Sequence, residues 1–296
     1  MQNTNQARFF VTGATGMLGR VVIEELAERV PAGNIVAGVR QPDHEVARQF
    51  ATKGIEIRVA DYSQPDTLKT AFAGIDRVLM ISSTAGGDRV TQHQNVIDAA
   101  RAAGIRLLAY TSMLHADTAT SGLATDHQAT ESALARSGLP FVLLRHGWYT
   151  ENHIPSVQSA LRYGSVIGSA DRGRFSSATR ADYAAAAAVV LTTDDQAGQI
   201  HELAGDESYA LSEFAGLIAG LAQKEVTFRN MPKDAFKQTL MGMGLPDFLA
   251  EFVAEADMAA SRGEFEDDAR QLSKLIGRPT TSLRDLVTTV AHGFQN

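Results

Sequence analysis

Short apolar runs alternate with stretches of helical periodicity through the first half of the chain. Phe9–Val11 precedes a glycine-rich turn and a segment in which Val22, Ile23 and Leu26 recur at helical spacing. Ile35–Val39 is the next apolar run, followed by a helix reaching Phe50 and by Ile55, Ile57 and Val59 in period-two alternation. Residues 78–81 and 107–110 are continuous apolar runs, the form of parallel strands covered on both faces. A helix over 90–103 lies between them, a second amphipathic helix spans 121–138, and 141–144 reads as a sixth strand. This alternation with short turns implies βαβ units. The fold expected is α/β: a doubly wound parallel-sheet Rossmann domain with a smaller, mostly helical C-terminal lobe.

After Gly147 the pattern loosens. Thr179 and Asp182, three residues apart ahead of an alanine-rich run, have capping-box spacing, so Asp182 reads as a helix-capping residue. Ile200–Leu203 is a further strand. Phe214, Leu217, Ile218 and Leu221 repeat at helical spacing, as do Phe248, Phe252 and Ala256. The domain assignment is 1–147 for the first domain, with 171–198 returning to it. Residues 148–170 and 199–296 then form the second lobe.

Composition narrows the classes. With 44% hydrophobic and 21% charged residues, the 296-residue chain can bury a sizeable core. A net charge of −7 argues against a nucleic-acid or anionic-membrane partner. The absence of cysteine excludes disulfides, thiolate nucleophiles and zinc–thiolate sites. The start, MQNTNQARFFVTG, carries too short an apolar run for a secretion signal, and no window is apolar enough to span a bilayer. A cytoplasmic protein is expected, and a homodimer is one assembly the chain allows. The eight histidines show no HExxH or paired ligand spacing, so no catalytic metal is expected.

VTGATGMLG sets Gly13, Gly16 and Gly19 three residues apart, directly after a strand and at a helix start. Such glycines permit a tight turn, backbone approach to a pyrophosphate and close helix–sheet packing, while free amides at the helix start meet phosphate. Thr15, Met17 and Leu18 lie within this turn and join the expected cofactor contacts. At the end of strand two, AGVRQPD offers Arg40 and no preceding carboxylate. A guanidinium suits the 2′-phosphate of NADP, where an acid would select NAD. Asp61, ending strand three, is placed either to bond adenine or to cap the next helix, and Tyr62 beside it joins the expected cofactor contacts. Ser82 and Ser83 end strand four along the expected cofactor path, with ordinary loop residues as the equal alternative.

These residues, with 59–82, 126–152 and 177–191 in the same order, resemble the NmrA-like group of atypical short-chain dehydrogenases. Within it the chain is most similar to the type-2 NADPH:quinone oxidoreductases and triphenylmethane reductases. The resemblance runs over nearly the whole chain, and its most specific block is RHGWYTEN. It implies NADPH binding, a substrate cleft near Trp148 and Tyr149, and reduction of quinones or similar delocalised electrophiles without flavin. The quinone oxidoreductases usually carry Asn before GWY; this chain has His146, so no Asn-borne role carries over.

Typical short-chain dehydrogenases place a Tyr and, four residues on, a Lys that lowers the phenol pKa for proton exchange. None of the six tyrosines here has that partner, and by register Leu123 and His127 stand at the two positions. Hydride addition to a simple ketone develops an alkoxide whose conjugate acid is about as weak as water, pKa roughly 15.7. A quinone instead develops a phenolate-like anion, pKa about 10, so the demand for an acid falls by about 8 kcal/mol. An aromatic or quinone acceptor held flat on the nicotinamide therefore suits this site. His127 is the candidate holder of the nicotinamide ribose or carboxamide, or else a structural histidine. His146 is a candidate for electrostatic help or proton delivery. Trp148 and Tyr149 offer stacking faces, with packing as the alternative. Met241, Met243 and Phe248 read either as helix core or as an adaptable lid.

Two further functions fit less of the pattern. A non-catalytic NADP(H)-sensing regulator of the NmrA type needs only the glycine turn. A reductase of C=C or C=N bonds needs a lysine where His127 stands.

Overall fold

The computed structural model describes residues 7–83 and 88–293. Residues 1–6, part of the stretch weighed as a secretion signal, lie outside them. Along the chain run β1 (Phe9–Val11), α1 (Gly19–Ala27), β2 (Ile35–Val39), α2 (Glu45–Thr52), β3 (Glu56–Val59) and α3 (Pro65–Ala71). They continue with β4 (Arg77–Met80), α4 (Arg89–Ala103), β5 (Leu107–Met113), α5 (Gly122–Ser137) and β6 (Phe141–His146). Each expected strand and helix of the first half is present.

Among the described residues the central sheet has seven strands in the order β3-β2-β1-β4-β5-β6 and then β9 (Ile200–Leu203). The pairings β1/β2, β2/β3, β1/β4 and β4/β5 are all parallel. The chain winds outward from β1 to β3, then returns past β1 to β4. That reversal puts a topological switch point between β1 and β4, where open α/β sheets bind ligands beyond the carboxyl ends of their strands.

The chain divides into two compact units. The first comprises residues 1–113, 126–145 and 180–201 and carries most of the sheet. Its core joins Phe10, Val36, Leu68, Phe72, Val78, Val96, Leu108 and Leu143. Phe10 and Phe72 meet edge to face, 5.1 Å between ring centroids. Gly38 in β2 leaves the space that the Phe10 ring occupies, which explains a glycine inside a buried strand. At the sheet edge, β3 departs from simple alternation: Ile55 is buried but Val59 is exposed. α7 (Arg180–Thr192) starts directly after Thr179 and packs beside α1, with Asp182 buried in its first turn.

The second unit comprises 114–125, 146–179 and 202–296. It contains α6 (Ile154–Tyr163), β7 (Ser165–Gly168), β8 (Arg174–Phe175), β10 (Tyr209–Ala210), α8 (Leu211–Ala222), β11 (Thr227–Asn230) and α9 (Lys233–Gly242). α10 (Asp247–Ser261), α11 (Gln271–Ile276) and α12 (Leu283–Gly293) complete it. The strands form two small ladders, β10 with β8 and β11 with β7. Phe236, Leu240, Ala250 and Ala254 make a separate core between α9 and α10, and Met241 packs on it. The helix-core alternative fails for Met243 and Phe248, which are 51% and 68% exposed: helical periodicity names a face and not what covers it.

Candidate active site

The glycine turn joins β1 to α1 at the switch point. Gly13 has φ of 56°, the left-handed region that glycine enters at low cost. A Cβ on Gly19 would collide with the Gly13 carbonyl oxygen and lie 2.8 Å from Ala14 Cα. The third glycine therefore lets helix and turn close on each other. The Gly16 amide donates to the Gly13 carbonyl (2.9 Å), and the Ala14 amide to Gly38 (3.1 Å), which fixes the turn's shape. The amides of Thr15, Met17 and Leu18 meet no acceptor among the described residues, and Met17 is exposed while Leu18 is buried. Unsatisfied N–H groups at the start of a helix, on an open turn, fit a pyrophosphate.

Arg40 is exposed at the end of β2. Hydrogen bonds from Ser63, with the Arg40 field adding to them, hold the Asp61 carboxyl below the usual carboxylate range. Asp61 Oδ1 accepts from the Ser63 amide (2.9 Å) and Ser63 Oγ (2.6 Å), and Oδ2 from Gln64 (3.2 Å). That is the local turn-forming use of the carboxylate, and it shapes the entry to α3.

Behind the turn stands a hub that sequence reading did not contain. Thr12 Oγ1 accepts from the Ile81 amide (2.9 Å) and donates to the Leu79 carbonyl (3.1 Å). The Tyr62 hydroxyl lies 2.5 Å from the same oxygen and 2.8 Å from the Ile81 carbonyl. Tyr62 thus ties β4 to the glycine turn, and burial raises its phenol pKa. Ser82 and Ser83, next after Ile81, are half-buried; their amides donate to Thr111 Oγ1 (2.8 Å) and His93 Nε2 (3.0 Å).

His127 lies half-buried on α5, its Nδ1 2.8 Å from the hydroxyl of Tyr110, a fully buried residue of β5. The phenol is the stronger acid and the imidazole nitrogen the stronger base, so Tyr110 donates. With Nδ1 accepting from Tyr110, the ring hydrogen of His127 sits on Nε2, which makes that nitrogen a hydrogen-bond donor. One turn further along α5, Glu131 accepts from Arg145 Nε (3.0 Å) and Nη2 (2.6 Å) and from Ser112 Oγ (2.5 Å). This buried bidentate pair pins α5 to the ends of β5 and β6. The one sequence signal for Tyr110 is a phenol closing an otherwise apolar strand run.

In the second unit, His146 is buried and its Nδ1 lies 3.3 Å from the Tyr149 hydroxyl. Burial pushes its pKa down to about 3, so the ring is neutral at neutral pH. Tyr149 is half-buried, whereas Trp148 is 8% exposed, stacked on Phe252 (5.7 Å, 26°) and flanked by Phe265 and Phe175. The indole faces are thus engaged in packing, and Phe252, 42% exposed, presents the outer aromatic surface. His153 sits in an aromatic cage of Phe175, Tyr209 and Phe214, with its pKa lowered by burial to about 4. Among the described residues no cluster of His, Cys, Asp or Glu could hold a metal ion.

A family model described as NAD(P)H-binding matches residues 13–194, the stretch that carries the glycine turn, Arg40 and α5. Quinone oxidoreductase 2 of Escherichia coli (strain K12) is 48% identical over 278 residues, 94% of this chain and 96% of that protein. The chain belongs to the NmrA-like NAD(P)H-binding family. Among solved structures of this family, the Escherichia coli NADPH-dependent quinone oxidoreductase complexed with NADPH superposes with a TM-score of 0.92. It is 47% identical, and the match covers 95% of this chain and 99% of that one. The Citrobacter triphenylmethane reductase complexed with NADP(H) has a TM-score of 0.91 at 34% identity, over 95% and 99% of the two chains. The NmrA-like fold therefore holds over nearly the whole chain. Among the described residues no helix is long and apolar enough to cross a membrane.

Proposed function

We propose that the protein is an NADPH-dependent oxidoreductase that reduces quinones and related delocalised electrophiles in the cytoplasm. The observation that carries this reading is the near full-length likeness to quinone oxidoreductase 2, joined to an α5 that bears Leu123 and His127 where a Tyr and a Lys would serve ketone chemistry.

Each group of the first unit then has a task. Amides of Thr15, Met17 and Leu18 take the pyrophosphate, Arg40 the 2′-phosphate, and the Ser82–Ser83 strand end lines the cofactor's path. Nε2–H of His127, oriented by Tyr110, holds the nicotinamide ribose or carboxamide. NADPH, when bound, supplies the hydride. In the second unit the Tyr149 edge and the aromatic surface outside Trp148 take a flat acceptor. The product of quinone reduction is a stabilised phenolate-type anion that solvent water suffices to protonate, and neutral His146 serves as a hydrogen-bonding group rather than as the acid.

The test is loss of nicotinamide absorbance when the protein is mixed with NADPH and a panel of quinones and triarylmethane dyes. Oxidation of NADPH with at least one acceptor class, in the absence of flavin, is expected. Tight NADPH binding with no turnover on the whole panel would overturn the reading in favour of a redox-sensing regulator.

A further inference from the structure

We propose that His93 is a positioning residue of the cofactor site: it locks the Ser83 backbone at the end of β4 to α5, the helix that carries His127. The proposal rests on the NADPH-binding reading above and extends it to a residue no family motif singles out.

Four rings form a continuous ladder through the first unit. Tyr62 and His93 meet edge to face at 6.1 Å, His93 and Tyr110 at 5.5 Å, and Tyr110 and His127 at 5.9 Å. The polar tips of the first three rings are each tied to a different segment of the candidate site. Tyr62 reaches Thr12 and Ile81, His93 reaches Ser83, and Tyr110 reaches His127.

The protonation of His93 follows from its partners. The Ser83 amide can only donate, so Nε2 is the bare acceptor at 3.0 Å. Thr130 Oγ1 already donates to the Asp126 carbonyl (2.7 Å), so at 2.8 Å it takes the Nδ1 proton of His93. His93 is therefore the neutral Nδ1–H tautomer, fully buried, and burial with the nearby Arg89 charge keeps it so by lowering its pKa to about 4. One imidazole thereby bridges a strand-end amide to a hydroxyl on α5, one residue short of Glu131 and three beyond His127. On α4 its companions on the buried face are Val96, Ile97 and Ala100. A histidine in that apolar row has no packing advantage over leucine, so the two hydrogen bonds are its reason for being there.

The test is NADPH titration without acceptor, followed by steady-state kinetics. His93→Phe keeps the ring packing with Tyr62 and Tyr110 and removes both hydrogen bonds. The NADPH dissociation constant and KM are expected to rise about tenfold, roughly 1.4 kcal/mol. At saturating NADPH, kcat should fall by much less. His93→Gln, whose amide supplies both an acceptor and a donor, should recover most of the affinity, which a purely space-filling role would not produce. NADPH binding by His93→Phe within twofold of wild type, or a Gln variant no better than Phe, overturns the proposal. Should His93→Phe fail to fold, Thr130→Val leaves the imidazole in place and removes its Nδ1 acceptor. It should weaken NADPH in the same direction, and unchanged affinity there overturns the proposal equally. Wild type that binds NADPH yet reduces no quinone would sink the enzyme assignment alone. Wild type that does not bind NADPH would sink both readings.

Discussion

The hydroxyl of Tyr110 donates a 2.8 Å hydrogen bond to Nδ1 of His127, so a fully buried phenol on β5 sets the tautomer of a half-buried imidazole on α5. Tyr110→Phe deletes that bond without changing packing volume. The NADPH KM is expected to rise about tenfold as His127 loses its orientation, with stability lowered by about 1 kcal/mol. Kinetics and a thermal melt on the same preparation check the two together.

Arg40→Asp places a carboxylate where the 2′-phosphate is expected. NADPH should lose about a hundredfold in kcat/KM, roughly 2.8 kcal/mol, while NADH changes little. Equal losses for the two cofactors would remove Arg40 from phosphate recognition.

Gly19→Ala drives a methyl into the Gly13 carbonyl, and the obstacle is backbone, so the turn itself has to shift. Overpacking of this kind costs about 1–3 kcal/mol. Because the displaced segment carries the amides proposed to take the pyrophosphate, NADPH affinity should fall by more than the stability loss alone implies. Titration and melting of the variant separate the two effects.

Glu131→Ala leaves the Arg145 guanidinium, 4% exposed, without its bidentate partner. Breaking a buried ion pair by removing one member costs about 3–5 kcal/mol. At roughly 2–4 °C per kcal/mol for a chain of this size, the melting temperature should drop by roughly 10 °C. Removing both charges with Glu131→Leu and Arg145→Met should recover much of that loss.

Burial pushes the Asp257 carboxyl, which accepts from the Ser169 amide at 2.7 Å, up to about 7. A carboxyl raised in the folded state binds its proton more tightly there than in the unfolded chain. Its contribution is whole below pH about 4 and is lost as pH rises to about 7, at 1.36 kcal/mol per pH unit. Asp257→Asn keeps an acceptor for Ser169 and removes the titration. The variant should therefore be more stable than wild type at pH 8, with a flatter stability profile between pH 4 and 7. Identical denaturant midpoints across that range would refute the assignment.

Much of this was legible in local sequence. Strand runs, helical stretches and the glycine turn depend on neighbours a few residues apart, so 78–81 and 107–110 announced buried parallel strands and Gly13, Gly16 and Gly19 announced a tight strand-to-helix turn. The contacts that shape the site were not legible, because they join residues far apart in the chain. Thr12 meets Ile81, His93 meets Thr130, and Glu131 meets Arg145 only after the sheet has closed. Met243 and Phe248 show the converse limit, since helical spacing names a face and the fold leaves these two side chains largely exposed.

By itself the sequence determined the α/β winding, the glycine-rich turn between β1 and α1 and the absence of a Tyr–Lys pair, since each is a matter of residue type at short spacing. Tertiary structure alone decided which nitrogen of His127 bears the proton, that Trp148 spends its ring faces on packing, and that α5 is held by a buried ion pair. Hydrogen bonding and burial act between groups that the fold brings within about 3 Å, and no spacing along the chain encodes that distance.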